Sequence, residues 1–244
     1  SMVVWLPEQR ICFTGNLFSA LFGHFPNLVT IRGDRYREAL TFIESLERVR
    51  ALEPELLLVG HHGPIEGREV IRRELTRLRD AVQFVHDETV KGMNHGKDVH
   101  TLMREVALPP ELAVGEGYGK VSWSVRAIWE NYAGWFHHRS TTELYPVPPN
   151  ATHGDLVQLA GGAEAVAARA AARLEEGAAV EAIQLAEVAL SAEPANVAAL
   201  EVMIGAHEVL EGKSENFWLT QWLRKQLEDL RSSLDAARER ECKS

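Results

Sequence analysis

Two adjacent histidines, His61 and His62, stand in the short loop Gly60–Pro64, directly after the apolar run Leu56–Val59. Imidazole and carboxylate groups are the donors with which zinc closes its coordination shell. The other eight histidines are scattered along the chain, at positions 24, 86, 95, 100, 137, 138, 153 and 207. The loop therefore offers metal-binding side chains, and a loop histidine pair that binds no metal is the alternative.

Two arginines and two polar residues form a second candidate set, suited to binding an oxyanion. Arg32 precedes Gly33 in a loop, and Arg37 follows a few residues later. A guanidinium group makes paired hydrogen bonds to tetrahedral oxyanions such as sulfate. Asn16 and Thr30 would support such binding through hydrogen bonds. The alternatives are a solvated helix face for Arg37 and turn or cap positions for Asn16 and Thr30.

These residues fall in an N-terminal stretch in which strand and helix patterns alternate. Residues 3–6 and 10–14 are β-rich runs separated by Pro7-Glu8-Gln9, which predicts a hairpin. Apolar residues recur at helical spacing over 34–52, and Leu56–Val59 is typical of a strand buried on both faces. The strand–helix–strand order predicts an α/β layer.

From about residue 66 onward the apolar spacing is typical of helices. It predicts helices over 66–93, 97–106, 119–135, 162–176, 178–191, 196–211 and 215–238. The prolines of Tyr145–Asn150 predict a rigid, extended connection. Ala179–Leu190, followed by Pro194 and Asn196, resembles a tetratricopeptide unit, in which small residues let paired helices approach closely. A plain alanine-rich bundle is the alternative.

An aromatic-rich block lies in the middle of the chain. Its members are Tyr118, Trp123, Trp129, Tyr132, Trp135 and Phe136. A helical core is the favoured interpretation, and an apolar wall for a ligand or a dimer contact is the alternative. Because the helical half has more large apolar residues than one small bundle hides, we predict a homodimer.

Charge and composition narrow the function classes. The net charge of −9 gives an acidic surface that repels phosphate backbones, so nucleic acid is not an expected partner. The two cysteines, Cys12 and Cys242, lie at opposite ends of the chain, which argues against a disulfide framework. No apolar run is long enough to span a bilayer.

Four blocks of the sequence carry a family likeness: Arg10–Asn16, Asn27–Gly33 with Arg37, His61–Pro64, and Tyr118–Phe136. The first is similar to the strand-to-loop element that carries a bridging metal carboxylate in metallo-β-lactamase folds. The second resembles the alkyl sulfatase segment ending in Thr-x-Arg-Gly, and the third the last histidine-bearing loop of the superfamily. The fourth resembles the start of the alkyl sulfatase dimerisation domain.

The resemblance implies an α+β, mostly α chain. Residues 1–78 would be the C-terminal part of a metallo-β-lactamase-like αββα domain, and residues 79–240 an all-helical, tetratricopeptide-like dimerisation domain. The implied chemistry is hydrolysis of alkyl sulfate esters at a two-zinc centre, with metal-bound water as nucleophile. By position, the resemblance implies His62, or its neighbour His61, as a metal ligand. It implies substrate contacts for Arg32, Arg37, Thr30 and Asn16. It also implies a soluble, bacterial-type protein, of the cytoplasm or the periplasm.

Two departures from the family pattern affect the expected activity. The superfamily motif His-x-His-x-Asp-His is absent from the sequence, and Thr14-Gly15-Asn16 stands where many relatives have Thr-Gly-Asp. The neutral oxygen of Asn is a poorer zinc ligand than a carboxylate. We therefore expect a C-terminal fragment of the parent hydrolase, without sulfatase activity on its own. The alternatives are a non-catalytic helical assembly or binding protein, and a hydrolase of another ester or lactone on the same fold.

Overall fold

A computed structural model describes residues 2–18, 21–29, 31, 33 and 37–242. The chain divides into two compact units, Ser1–Glu143 and Leu144–Ser244. The predicted domain boundary between residues 78 and 79 falls inside the helix Arg68–Asn94 of the first unit. Compact units and family domains are different divisions of a chain, so this boundary stays a prediction.

Within its described residues, the first unit contains a four-stranded sheet. The strands are β1 Val4–Leu6, β2 Ile11–Gly15, β3 Leu56–Val59 and β4 Ile65–Glu66, in this order across the sheet. β1 and β2 are antiparallel, which confirms the predicted hairpin. β2 and β3 are parallel and are connected through the helix α1, Ala39–Ala51, which confirms the α/β layer. β4 was not predicted, because two residues are too few to show a period.

A long helix, α2 (Arg68–Asn94), packs with α1 and one face of the sheet in a single buried cluster. The helix buries one stripe because its apolar residues recur every three or four positions. The stripe consists of Ile71, Leu75, Leu78, Val82 and Val85. α2 confirms the helix predicted over 66–93. The helix predicted over 34–52 begins at Ala39, and residues 34–36 lie outside the described part of the chain.

Two shorter helices, α3 (Val99–Glu105) and α4 (Val121–Ala133), complete the first unit. Asp98 is the N-cap of α3, because its carboxylate accepts a hydrogen bond from the backbone N–H of His100 at 2.9 Å. Hydrogen bonds, the largest from the Thr101 hydroxyl, hold the pKa of Asp98 below its usual value. Gly134, with a φ of +75°, ends α4 in a conformation that glycine tolerates best.

The second unit is helical across its described residues. Its helices are α5 His153–Ala160, α6 Ala163–Glu175, α7 Ala179–Ala192, α8 Val197–Gly212 and α9 Phe217–Glu241. The last four confirm the predicted helices, whereas α5 was not predicted. Gly177, with a φ of +82°, makes the turn between α6 and α7. The core between α6, α7 and α8 consists largely of buried alanines, and the likeness to a tetratricopeptide unit stays a prediction.

The architecture is therefore mostly helical with a small sheet near the N-terminus, as the sequence predicts. Cys12 is fully buried in β2, and its burial raises the pKa of the thiol. Cys242 is exposed, and neither cysteine is in a disulfide. Among the described helices, none has the length and apolar character needed to cross a membrane.

Candidate functional site

The loops that follow β2 and β3 meet at one edge of the sheet. Because the two strands are parallel, their carboxyl ends lie side by side, a place where α/β sheets bind ligands. The N–H of Gly60 donates to the carbonyl of Gly15 at 2.9 Å, which fastens the two loops together. A Cβ at Gly60 would collide with the side-chain oxygen of Asn16, so a larger residue here would displace the Asn16 side chain. The structure thus brings Asn16 to the base of the loop Gly60–Pro64, here called the histidine loop.

His61 and His62 project from this edge and are both exposed. The Nδ1 atom of His62 lies 3.2 Å from the carbonyl oxygen of Gly63, which is its neighbour in the chain. These two exposed imidazoles, on neighbouring residues of one loop, are a partial set of metal donors at the carboxyl end of the parallel strands.

A complete zinc site needs about three or four protein ligands. Across the described ranges, no three His, Cys, Asp or Glu side chains lie close enough together to hold a metal ion. His61, His62 and Asn16 therefore do not fit a zinc centre by themselves. A centre that used them would need further ligands from outside this set.

The predicted oxyanion-binding residues fall on the segment between β2 and α1. Arg37 is exposed, and its Nη1 donates to the carbonyl of Asn27 at 2.7 Å, while its backbone N–H donates to Leu28 at 2.9 Å. Arg37 thus stabilises the preceding loop through hydrogen bonds to its backbone. Arg32 and Thr30 lie outside the described residues. The substrate-binding role of all these residues stays a prediction.

The segment before Arg37 docks against a glycine-rich stretch before α4. His24 Nδ1 accepts a hydrogen bond from the N–H of Gly117 at 3.1 Å, and the N–H of Phe25 donates to Gly115 at 2.7 Å. A Cβ at Gly115 or Gly117 would press against the His24 ring, and one at Gly119 would strike the backbone at Pro26. This contact has no local signal in the sequence, because its partners are about ninety residues apart.

A second histidine that sequence reasoning missed, His86 of α2, is buried and bonded at both ring nitrogens. Nδ1 lies 2.8 Å from the carboxylate of Asp87, and Nε2 lies 2.8 Å from the hydroxyl of Tyr132 on α4. A cavity of about 190 Å³ lies beside this group, lined also by Ala39 and Ile128. The three polar groups satisfy one another and tie α2 to α4.

The aromatic block is divided between core and surface. Trp129 is buried and makes an edge-on contact with His137, with ring centroids 5.3 Å apart. Tyr132 and Trp135 are more than half exposed. The favoured interpretation as helical core therefore applies to Trp129 but not to Tyr132, in the last turn of α4, or to Trp135, in the loop after it.

The loop after α4 closes around one carboxylate. Glu143 accepts hydrogen bonds from the backbone N–H groups of His137 at 2.7 Å, Arg139 at 3.2 Å and Ser140 at 3.2 Å. These bonds, first that from His137, hold the pKa of Glu143 below its usual value. The His137 ring also lies between Glu130 at 3.4 Å and Glu143 at 3.9 Å.

A parallel β2–α1–β3 unit with histidines at its carboxyl edge, followed along the chain by an all-helical unit, defines an α/β layer joined to a helical domain. Residues 98–233 match the family model for alkyl sulfatase dimerisation. Because this match covers more than half of the sequence, the chain belongs to the alkyl sulfatase dimerisation family, as the sequence analysis expects.

Curated relatives and solved structures agree with this assignment. The chain is 34% identical over 170 residues to a linear primary-alkylsulfatase of a Pseudomonas strain, a match that covers 68% of the chain and 32% of the relative. It is 29% identical over 221 residues to the alkyl/aryl-sulfatase BDS1 of Saccharomyces cerevisiae, covering 88% of the chain and 34% of the relative.

The structure of the stereoselective inverting sec-alkylsulfatase Pisa1 from Pseudomonas superposes with a TM-score of 0.84 at 29% identity, covering 96% of this chain and 37% of Pisa1. The chain spans about a third of the length of the relatives it matches.

Proposed function

We propose that this chain is the C-terminal part of a zinc-dependent hydrolase of alkyl sulfate esters, that it forms a homodimer, and that it has no sulfatase activity alone. The observation that carries the proposal is the sheet edge where Asn16 lies against Gly60, directly before the exposed pair His61 and His62. Its position at the carboxyl ends of two parallel strands is suited to ligand binding. Membership of the alkyl sulfatase dimerisation family supplies the substrate class.

The uncovered face of the sheet supports a role as part of a larger catalytic domain. In the pairing of β1 with β2, Val4 lies opposite Phe13 and Leu6 lies opposite Ile11. Ile11 and Phe13 in turn lie opposite residues of β3, so these side chains share one face of the sheet. This face is apolar and solvent-accessible, and Val4, Leu6 and Phe13 are among its exposed members. Contiguous exposed apolar surface marks a contact site. We propose that the remaining layers of a metallo-β-lactamase-like αββα fold cover it in the longer protein.

In this proposal His62 contributes one zinc ligand to a centre that the rest of the protein completes, and His61 is the alternative ligand beside it. The proposal also assigns sulfate binding in the longer protein to Arg32, Arg37, Thr30 and Asn16. The guanidinium groups suit a tetrahedral oxyanion. Because Asn16 replaces a carboxylate, we expect the completed centre to hold its metal less tightly than one with Asp at this position.

Zinc content and sulfate release test the proposal. Residues 1–244 and the longest in-frame product of the gene would each be analysed for zinc by mass spectrometry and assayed with a medium-chain alkyl sulfate. We expect zinc and turnover in the longer protein only. Turnover with stoichiometric zinc in residues 1–244 would contradict the proposal, because it requires a complete site within this chain.

The substitution His62→Ala in the longer protein assigns the ligand. Loss of a residue that binds the zinc directly is expected to lower zinc content and to reduce turnover about a hundredfold or more, because even residues that only orient a ligand contribute about 10–100-fold. His61→Ala is the test of the neighbouring residue, and His95→Ala, an exposed histidine at the end of α2, is the matched control that should change neither value. Unchanged zinc in both loop variants would remove the histidine loop from the metal centre.

The replacement of the expected carboxylate by Asn16 favours one rival function, a non-catalytic helical assembly protein. In that case the longer protein would bind no zinc and would release no sulfate. A third candidate is hydrolysis of another ester or lactone. In that case the longer protein would bind zinc and would hydrolyse carboxylic esters or lactones but not alkyl sulfates.

A further inference from the structure

The first part of the second unit exposes a dense series of large apolar side chains. Residues 144–160, here called the apolar arm, include the connection to the 3-10 turn Pro149–Thr152 and the helix α5. The exposed members are Leu144, Tyr145, Val147, Leu156 and Leu159. Leu159 is 85% exposed and Tyr145 is 63% exposed. Soluble proteins rarely leave such surface open unless it is a contact site.

The arm is also nearly free of charge. Asp155 is the one Asp, Glu, Lys or Arg among residues 144–160, whereas 25% of the whole chain is charged. At that average, about four charged residues would be expected in a stretch of this length. Depletion of charge, with Tyr and other large apolar residues enriched, is the composition of an interface core.

Three prolines and a backbone hydrogen bond restrict the conformation of the arm. Pro146, Pro148 and Pro149 fix three φ angles, and the N–H of Val147 donates to the carbonyl of Tyr145 at 2.8 Å. On α5, Leu156 and Leu159 are three residues apart and therefore lie on one face of the helix. A preformed surface loses little conformational entropy on binding, which favours association.

We infer that the apolar arm is the surface through which two copies of this chain associate. This inference rests on the homodimer of the proposed function. The arm lies within residues 98–233, the part of the chain that matches the dimerisation family. In a two-fold interface each patch meets itself, and a chain with a net charge of −9 repels its own copy wherever charged surface is apposed. The arm avoids this repulsion.

The area is adequate for a specific dimer. Five large side chains exposed to this degree offer roughly 100 Å² each, so two arms together would bury about 1,000 Å², the lower limit of specific interfaces. Tyr145 is the expected hot spot, since large aromatic residues at the centre of an interface carry much of the binding energy.

Light scattering with size-exclusion chromatography tests the inference on residues 1–244. We expect the wild-type chain at twice 27.2 kDa. The double substitution Tyr145→Ser and Leu159→Glu is expected to raise the dimer dissociation constant at least tenfold, with unchanged helical circular dichroism. Val180→Glu, at an equally apolar and 54% exposed position on α7 of the same unit, is the matched control that should remain dimeric.

A second measurement does not depend on adding charge. In a Cys242→Ser background, the thiol of Leu159→Cys should react more slowly with a maleimide as protein concentration rises, whereas the thiol of Val180→Cys should not. If the wild type is dimeric and the arm variant is equally dimeric, the arm is not the interface, but the proposed homodimer stands. A monomeric wild type overturns both, while zinc content and sulfate release still decide the hydrolase proposal separately.

Discussion

The carboxylate of Glu143 organises the loop that follows α4 by accepting three backbone N–H groups. Hydrogen bonds to the ionised form, first that from His137, lower the pKa of this group. Because the folded-state pKa lies below the ordinary value of 4.5, the ionised carboxylate stabilises the fold above that pH. This stabilisation is lost as the pH falls through the lowered pKa.

The substitution Glu143→Gln tests this role. We expect the midpoint of thermal unfolding to fall by a few degrees at pH 7, because a neutral amide accepts the same bonds more weakly. The difference from the wild type should shrink as the pH falls below 4.5. Circular dichroism melts between pH 3 and pH 7 give both values. Glu187→Gln, on the exposed face of α7, is the control, and an equal effect there would argue against a special role for Glu143.

Side-chain pairings between residues far apart in the chain could not be predicted from the sequence. Histidines were found in the sequence, but the pairing of His86 with Tyr132 joins residues 46 positions apart, and that of His24 with Gly117 joins residues 93 positions apart. Neither pair has a local spacing that would predict it. The histidine loop was found because it directly follows an apolar strand, which is a local signal.

Helices were predicted well where a full period is visible. α2 and α9 extend over many turns, and their apolar stripes place both ends within about three residues. β4 was missed because two residues show too little of any period. α5 was missed although the shorter helix α3 was predicted, because α5 lies between Pro148-Pro149 and Gly161-Gly162, which are loop signals. Helix α1 begins later than predicted. The apolar pattern continues upstream of Ala39, but Glu38 there has an extended backbone.

Asn196 joins two helices of the second unit. Its side-chain oxygen accepts the N–H of Ala199 at 2.9 Å and caps α8, while its amide donates to Glu164 of α6 at 2.8 Å. Asn196→Ala is expected to lower the free energy of unfolding by about 1–2 kcal/mol, because it removes the cap. Urea denaturation measures this value. Glu164→Ala removes only the second bond and should cost less, and a larger loss there would show that the cap is not the dominant interaction.

At the scale of the whole molecule, the apolar sheet face limits how residues 1–244 behave alone. Phe13 is 40% exposed, whereas Leu57 on the neighbouring strand is fully buried. Phe13→Thr is therefore expected to reduce binding of the dye ANS several-fold and to raise solubility without loss of helicity. Dye fluorescence and the solubility limit are the measurements.

Leu57→Thr is the matched control and should destabilise the fold by about 2 kcal/mol or more, since it places a hydroxyl in the core. In the longer protein, where we propose that the sheet face is covered, Phe13→Thr should destabilise the fold as Leu57→Thr does. Equal dye binding by the wild type and Phe13→Thr would show that the sheet face is not the accessible apolar surface.

The buried alanines of the second unit have a consequence for how such a sequence can diverge. Ala170, Ala182, Ala186, Ala189 and Ala206 are completely buried where helices pack. A larger side chain at any of these positions costs about 1–3 kcal/mol through overpacking. Substitutions are therefore tolerated mainly on the outward faces of these helices, while the inward positions must keep a side chain as small as alanine. Two descendants could share few surface residues and still interlock their helices in the same way.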